Sequence, residues 1–196
     1  MTKEIDYKKE YLDLFKQIKR EGAAELLEYI EKTNFFSSPA STRFHSNFEG
    51  GLVEHCVKVY HRFVKLLTAE YGEDYLKDEK RLETATVIAL LHDLCKVDTY
   101  KTEMRNQKID GAWVQVPFYA VDDKLPYGHG EKSVYMVCGF MKLSREEAMA
   151  INWHMGAYDS RADYGNALGQ AFKLYPIALL FHIADNMSSY LDEKTV

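Results

Sequence analysis

Apolar positions recur at helical spacing over most of this chain, broken in one place by strict alternation. Ile5 to Ile18 carries Tyr11, Leu12, Leu14, Phe15 and Ile18, and Glu21 to Glu31 repeats the pattern with Ala24, Leu27 and Ile30. Gly22 weakens the joint, so the pattern predicts two amphipathic helices, or one bent one, over about residues 4–34. Leu52 to Glu70 shows a broad apolar face of Val53, Cys56, Val57, Val59, Tyr60, Phe63 and Leu67. Ala85 to Leu94 is apolar nearly all round and predicts a buried helix. Further helices are expected over Glu131 to Met141, from Ser144 to about Trp153, and from about Tyr175 to Leu191. Ser144 with Glu147 has the form of a capping box.

Between these, Asp98 to Asp123 changes period. Thr99–Glu103 and Trp113–Val116 alternate and are rich in β-branched and aromatic residues, with Asp110-Gly111 as a turn signal. The expectation is a β-hairpin inserted over about residues 98–121, with Pro117 marking an edge or a break. Phe35 to Gly51 has loop chemistry in Ser37-Ser38-Pro39-Ala40-Ser41 and Gly50-Gly51. The predicted class is mainly all-α, a helical bundle with one small hairpin, in a single domain spanning residues 1–196.

Composition changes this picture little. The chain has 196 residues, 46% hydrophobic and 28% charged, with net charge −5. No dense basic tract favours broad binding to duplex nucleic acid. Residues Met1 to Glu10 are charged with no apolar stretch behind them, which argues against a signal peptide. No apolar run approaches the ~20 residues that span a bilayer. Cys56, Cys95 and Cys138 are scattered and form no CxxC pair, so a reducing cytoplasm is expected and each is read as a small buried residue.

The candidate chemistry centres on Leu90-Leu91-His92-Asp93-Leu94-Cys95-Lys96, where a histidine and an aspartate close an apolar helix. An aspartate is rarely buried without a charged partner or a metal. His55 lies in the first turn of its helix, His129 sits between two glycines at a helix start, His154 falls at a helix end, and Asp185 is deep in the last apolar pattern. Each alone has an ordinary explanation: a core histidine bonded locally, or a plain turn. Together they are four histidines and two aspartates. Nitrogen and carboxylate ligands without thiolates suit Zn²⁺, Mn²⁺, Fe²⁺ or Ni²⁺. Six ligands are too many for one catalytic ion with an open position and fit two ions bridged by a carboxylate, a device for displacement at phosphorus. Lys96, one turn after Asp93, is a candidate to hold a substrate phosphate or protonate a leaving group, or is a surface lysine at a helix end. Arg43 and His45 in the loop before His55, and Arg161 after His154, are further candidate substrate contacts, since a guanidinium pairs bidentately with phosphate. Tyr119, Tyr127 and Tyr158 could stack on a base or belong to an aromatic core.

Gly50-Gly51-Leu52-Val53-Glu54-His55, Leu91-His92-Asp93-Leu94-Cys95-Lys96, Gly128-His129, Trp153-His154 and Ala184-Asp185-Asn186 resemble the HD-domain metal-dependent phosphohydrolases. Pro39-Ala40 through His45 to His55, and His182 to Met187, are similar to the HD domain of bacterial 3′→5′ exoribonuclease-type proteins. That branch usually carries an OB domain ahead of the HD domain, for which this chain has no room, and often a His-His pair where this chain has His154 alone. The resemblance implies an HD-type helical bundle. It implies a first metal held by His55, His92, Asp93 and Asp185, and a second held by Asp93, His129 and His154. Lys96 would contact a substrate phosphate, and Asp93 would hold the attacking oxygen's metals. The implied activity is hydrolysis of a phosphoester in a nucleotide or short oligonucleotide. Rival readings are an HD-type di-iron oxygenase and a nucleotide-binding module without catalysis.

Overall fold

The fold is that of a computed structural model, which describes residues 5–163 and 165–193. It is a helical bundle with one two-stranded sheet. Helices α1 (Tyr7–Phe15) and α2 (Ala23–Lys32) meet at Gly22, whose left-handed φ of 86° turns the chain between them. A Cβ there would stand 1.9 Å from the Phe140 carbonyl oxygen, so glycine also lets the joint lie against the bundle. α3 (Gly51–Tyr71) and α4 (Glu79–Leu91) follow, then hairpin β1 (Tyr100–Ile109) and β2 (Ala112–Val121). After it come α5 (His129–Cys138), α6 (Arg145–Asn152), α7 (Ala167–Leu174) and α8 (Pro176–Met187).

α3 packs against both α4 and α8, and α6 closes on α8 and α4. The core is built where these meet, from Leu52, Phe63, Leu90, Leu91 and Phe181, all fully buried. α4 is apolar all round because it is the central helix: Ala85 through Leu91 are buried without a break. Its start, which the sequence pattern alone placed later, is fixed by the Asp78 side chain, which accepts from the Lys80 and Arg81 amides. The capping box of α6 is present in full: Glu147 N–H donates to Ser144 Oγ, and Ser144 N–H donates to the Glu147 carboxylate.

The hairpin pairs in simple antiparallel register, Tyr100 with Val121 through Ile109 with Ala112. Asp110 and Gly111 both have positive φ, as a type I′ turn requires. Pro117 does not break β2, because it stands on a strand with a free edge opposite Met104. Most of the hairpin is solvent-exposed, but its base is fixed. Asp122 N–H donates to the Thr99 carbonyl, and Lys132 Nζ donates to both Thr99 Oγ1 and Asp123 Oδ1.

Two expectations need correction. Cys138 is exposed, not buried, because the end of α5 presents it to solvent, whereas Cys56 and Cys95 are buried. α7 was not anticipated: Gly169 lies in its middle, only Ala171 is buried, and Tyr175-Pro176 ends it after eight residues. No single helix among the described residues is long and apolar enough to cross a membrane.

Candidate metal centre

Four helix ends, those of α3, α4, α5 and α6, and the buried face of α8 deliver the site. α3 starts where Gly50, at φ 79°, reverses the chain, and Gly51 lies against the Ser46 carbonyl, where a Cβ would stand 2.0 Å away. This fixes the first turn of α3 and aims His55 inward. α4 ends at His92, and a single 3₁₀ turn, Leu94–Lys96, follows Asp93. α6 ends just before His154, and α8 supplies Asp185 from its buried face.

Their ligand atoms converge. His55 Nε2 lies 3.1 Å from His92 Nε2, 3.3 Å from Asp185 Oδ1 and 3.4 Å from Asp93 Oδ2. His92 Nε2 is also 3.4 Å from Asp93 Oδ2. Neighbouring ligands on an ion with bonds of about 2.1 Å stand about 3 Å apart, so His55, His92 and Asp93, whose ligand atoms all lie within 4.8 Å of one another, can hold one divalent ion, with Asp185 beside His55. The tautomers agree. His92 Nδ1 faces the Ala89 carbonyl at 2.9 Å and His154 Nδ1 faces the Ile151 carbonyl at 2.7 Å. A carbonyl only accepts, so each Nδ1 carries a proton, and in the neutral ring Nε2 keeps its lone pair for the site.

A second position lies on the other side of Asp93. Asp93 Oδ1 and His154 Nε2 are buried, have no hydrogen-bond partner among the described residues, and stand 3.5 Å apart. Buried polar atoms without partners are costly, and two of them facing each other beside the His55–His92–Asp93 group suit a bound cation. His129 is more open than the other five. It begins α5 and lines the same pocket. Gly130 is needed there for packing, since a Cβ would meet the Asn152 backbone at 2.1 Å.

Charge in the site is coupled. Burial alone would raise the Asp93 carboxyl, but Lys96, His92 and His154 outweigh it and hold the group well below the usual carboxylate range. Lys96 Nζ donates to Asp93 Oδ2 at 2.6 Å, so the 3₁₀ turn keeps Lys96 on the Asp93 side, and its pKa rises despite burial because of that carboxylate. Burial works against protonated His55, yet Glu193 and Asp185 outweigh it and push the ring up to about 10. Burial lowers His129, and it brings His45 down to about 4.

The ligand set opens into a cavity of about 560 Å³. His45, Lys96, Tyr100 and Val121 line its walls, and the exposed rings of Phe44, Tyr158 and Tyr190 stand around its mouth. The two sequence-identified arginines are placed otherwise. Arg43 is exposed over the Phe44 ring and is not among the lining residues. Arg161 is engaged by Asp159, Glu131 and Asn152 and lies over the Trp153 ring, so its donors are already used. Tyr127 stacks on Tyr135 rather than lining the pocket, while Tyr158 does line it.

Sequence reasoning missed Glu193 and Ser46. The Glu193 carboxylate receives His55 Nδ1 at 2.7 Å, Ser46 Oγ at 2.6 Å and Ser188 Oγ at 2.9 Å. Nothing local in the sequence marks either residue, because they meet only when the segment after α8 folds back onto α3.

A helical bundle whose buried histidines and aspartate converge beside an open pocket is compatible with an α-protein that binds metal. The HD domain family model matches residues 52–189, and the chain belongs to that family, whose members are in general metal-dependent phosphohydrolases. No curated protein and no solved structure matches the chain.

Proposed function

We propose that the protein is a phosphohydrolase that cleaves a phosphoester bond of a small phosphorylated substrate, a nucleotide or short oligonucleotide, using two divalent ions such as Mn²⁺, Fe²⁺, Ni²⁺ or Zn²⁺. The observation that carries this reading is the split of Asp93: Oδ2 joins His55, His92 and Asp185, while Oδ1 faces His154 Nε2 without a partner. The donor set is imidazole and carboxylate, which suits these ions. His55, His92, Asp93 and Asp185 would hold one, and Asp93, His129 and His154 the other. Such ions supply Lewis acidity and a water of lowered pKa.

The chain's own groups do the rest. Lys96 reaches the pocket from beside Asp93 and offers an ammonium to a phosphate oxygen, opposing charge as it builds there. Burial keeps the His45 ring neutral near pH 7, so it can accept a hydrogen bond from the substrate without adding charge. Phe44, Tyr158 and Tyr190 offer flat apolar surface to a base.

Lys96 is the one Lys or Arg among the described lining residues. A long nucleic acid is held through many cationic contacts to phosphate, so this supports a small substrate over the polymer that the exoribonuclease-type likeness suggests. Incubation of the purified protein and Mn²⁺ with nucleoside monophosphates, deoxynucleoside triphosphates, cyclic nucleotides and short oligonucleotides, followed by chromatography, tests the reading. Metal-dependent cleavage of one class, lost in Asp93→Ala, is the expected result. Full activity of Asp93→Ala, or no cleavage of any class, overturns it. In the second case, iron content with oxygen uptake would point to the di-iron oxygenase instead.

A further inference from the structure

The structure assigns to Glu193 the role of a positioning residue: its carboxylate, carried in by the segment after α8, fixes the ring of His55 for metal binding. This rests on the reading of the His55–His92–Asp93–Asp185 cluster as a metal centre.

The approach of Glu193 is built from three sides. α8 ends at Met187 and continues as a wider π-helical turn, Ser188–Asp192. Such turns often occur at functional sites. The turn lies along α3, where Lys58 Nζ donates to the Asp192 carbonyl and Arg62 pairs with the Asp192 carboxylate through two nitrogens. That clamp delivers Glu193 to the start of α3, where its side chain is fully buried. From the third side comes Ser46. It adopts a φ of 45°, a region that non-glycine residues seldom occupy, while its Oγ donates to Glu193. A strained residue that presents a hydroxyl to a buried carboxylate is held there by its surroundings.

The bonding leaves Glu193 satisfied and directs it at one atom. Oε1 accepts from His55 Nδ1 and Ser188 Oγ, and Oε2 accepts from Ser46 Oγ. Its N···O distance of 2.7 Å to His55 is that of a direct hydrogen bond. Glu193 thus acts on the His55–His92–Asp93 group through the His55 ring. It keeps the proton on His55 Nδ1, turns Nε2 toward His92, Asp93 and Asp185, and makes Nε2 a stronger donor to a cation. His92 and His154 use backbone carbonyls for the same purpose, so His55 is the member of the set whose orientation depends on a charged side chain from a distant part of the chain.

The test is calorimetric titration of the full chain with Zn²⁺, alongside Glu193→Gln, Ser188→Ala and Asp93→Ala. Circular dichroism would verify the fold of each, and nuclear magnetic resonance of the Zn²⁺-loaded protein would follow the His55 Nδ1 proton. Glu193→Gln is expected to weaken binding about 10- to 100-fold. Ser188→Ala, which removes one donor to Oε1, should weaken it roughly two- to tenfold and carries the test if the first variant does not fold. The Nδ1 proton, far downfield against a carboxylate, should move upfield in Glu193→Gln while the corresponding protons of His92 and His154 stay. Wild-type affinity in both variants, or an unmoved Nδ1 proton, overturns the role of Glu193 alone. Absence of Zn²⁺ binding by the wild-type protein overturns it together with the metal reading.

Discussion

His55 holds a proton that a metal ion must displace. Glu193 and Asp185 overcome the effect of burial and push the metal-free ring up to about 10, so near pH 7 it is charged. Its folded pKa is raised, so this protonation stabilises the metal-free fold below the ordinary histidine value and ceases to do so as pH rises through about 10. A cation needs the neutral ring, and binding near pH 7 should release a proton. The heat of Mn²⁺ binding should therefore depend on the ionisation enthalpy of the buffer, and affinity should fall as the solution is acidified. A heat independent of buffer would contradict the charge assigned to His55. Far from the site, Glu147 shows the opposite sign. Burial would raise it, but Arg20, the Ser144 amide and Thr84 hold it below its ordinary value. Both Arg20 terminal nitrogens lie 2.8 Å from its oxygens. Glu147→Ala should cost about 1 to 3 kcal/mol at pH 7, the range for losing charge-assisted hydrogen bonds, since Arg20 keeps Glu83. The deficit, read by urea unfolding, should shrink as pH falls below the ordinary glutamate value through the lowered one, where the wild-type carboxylate also protonates.

At the scale of elements, the site depends on where helices stop. Gly156, at φ 54°, turns the chain after His154, and a Cβ there would stand 2.3 Å from the His182 ring. His182 Nδ1 in turn lies 2.6 Å from the His154 carbonyl, which ties α8 to the loop that carries the ligand. Gly156→Ala should lower stability by about 1 to 3 kcal/mol, measured by urea unfolding, and should weaken metal binding with it. Helix ends were partly legible. The Ser144–Glu147 box and the Gly50-Gly51 start could each be read from residue type, and so could the Asp110-Gly111 turn. The three-residue step from Asp93 put Lys96 on the same side, and the chain makes that step through a 3₁₀ turn. α7 was hidden because it is short, contains Gly169 and buries only Ala171. The π-helical turn was hidden because its residues have no period of their own and owe their path to α3.

For the whole molecule, order along the chain and order in space differ. His55, His92, Asp93, His154 and Asp185 span 131 positions and meet because α3, α4, α6 and α8 share one core. The apolar periods foretold those helices, and the clustering of ligands near helix ends foretold their meeting. What periods cannot show is which distant carboxylate completes the shell, so Glu193 was missed and Arg161, locked to Asp159 and Glu131, was credited with a free fork. Because the ligands come from α3, α4, α5, α6 and α8, a bound ion should hold the bundle together. At a concentration 100 times its Kd, an ion that binds only the folded state adds about 2.7 kcal/mol. Mn²⁺ should thus raise the melting temperature of the wild-type protein and leave that of Asp93→Ala unchanged.

The most direct test of the centre is its metal content after dialysis against Mn²⁺, measured by inductively coupled plasma mass spectrometry on the wild-type protein, His154→Ala and Asp93→Ala. The account predicts two ions per wild-type chain, one in His154→Ala, where the His55–His92–Asp93–Asp185 set is intact, and none in Asp93→Ala. A wild-type protein that retains no ion, or an Asp93→Ala variant that retains as many as the wild type, would contradict it.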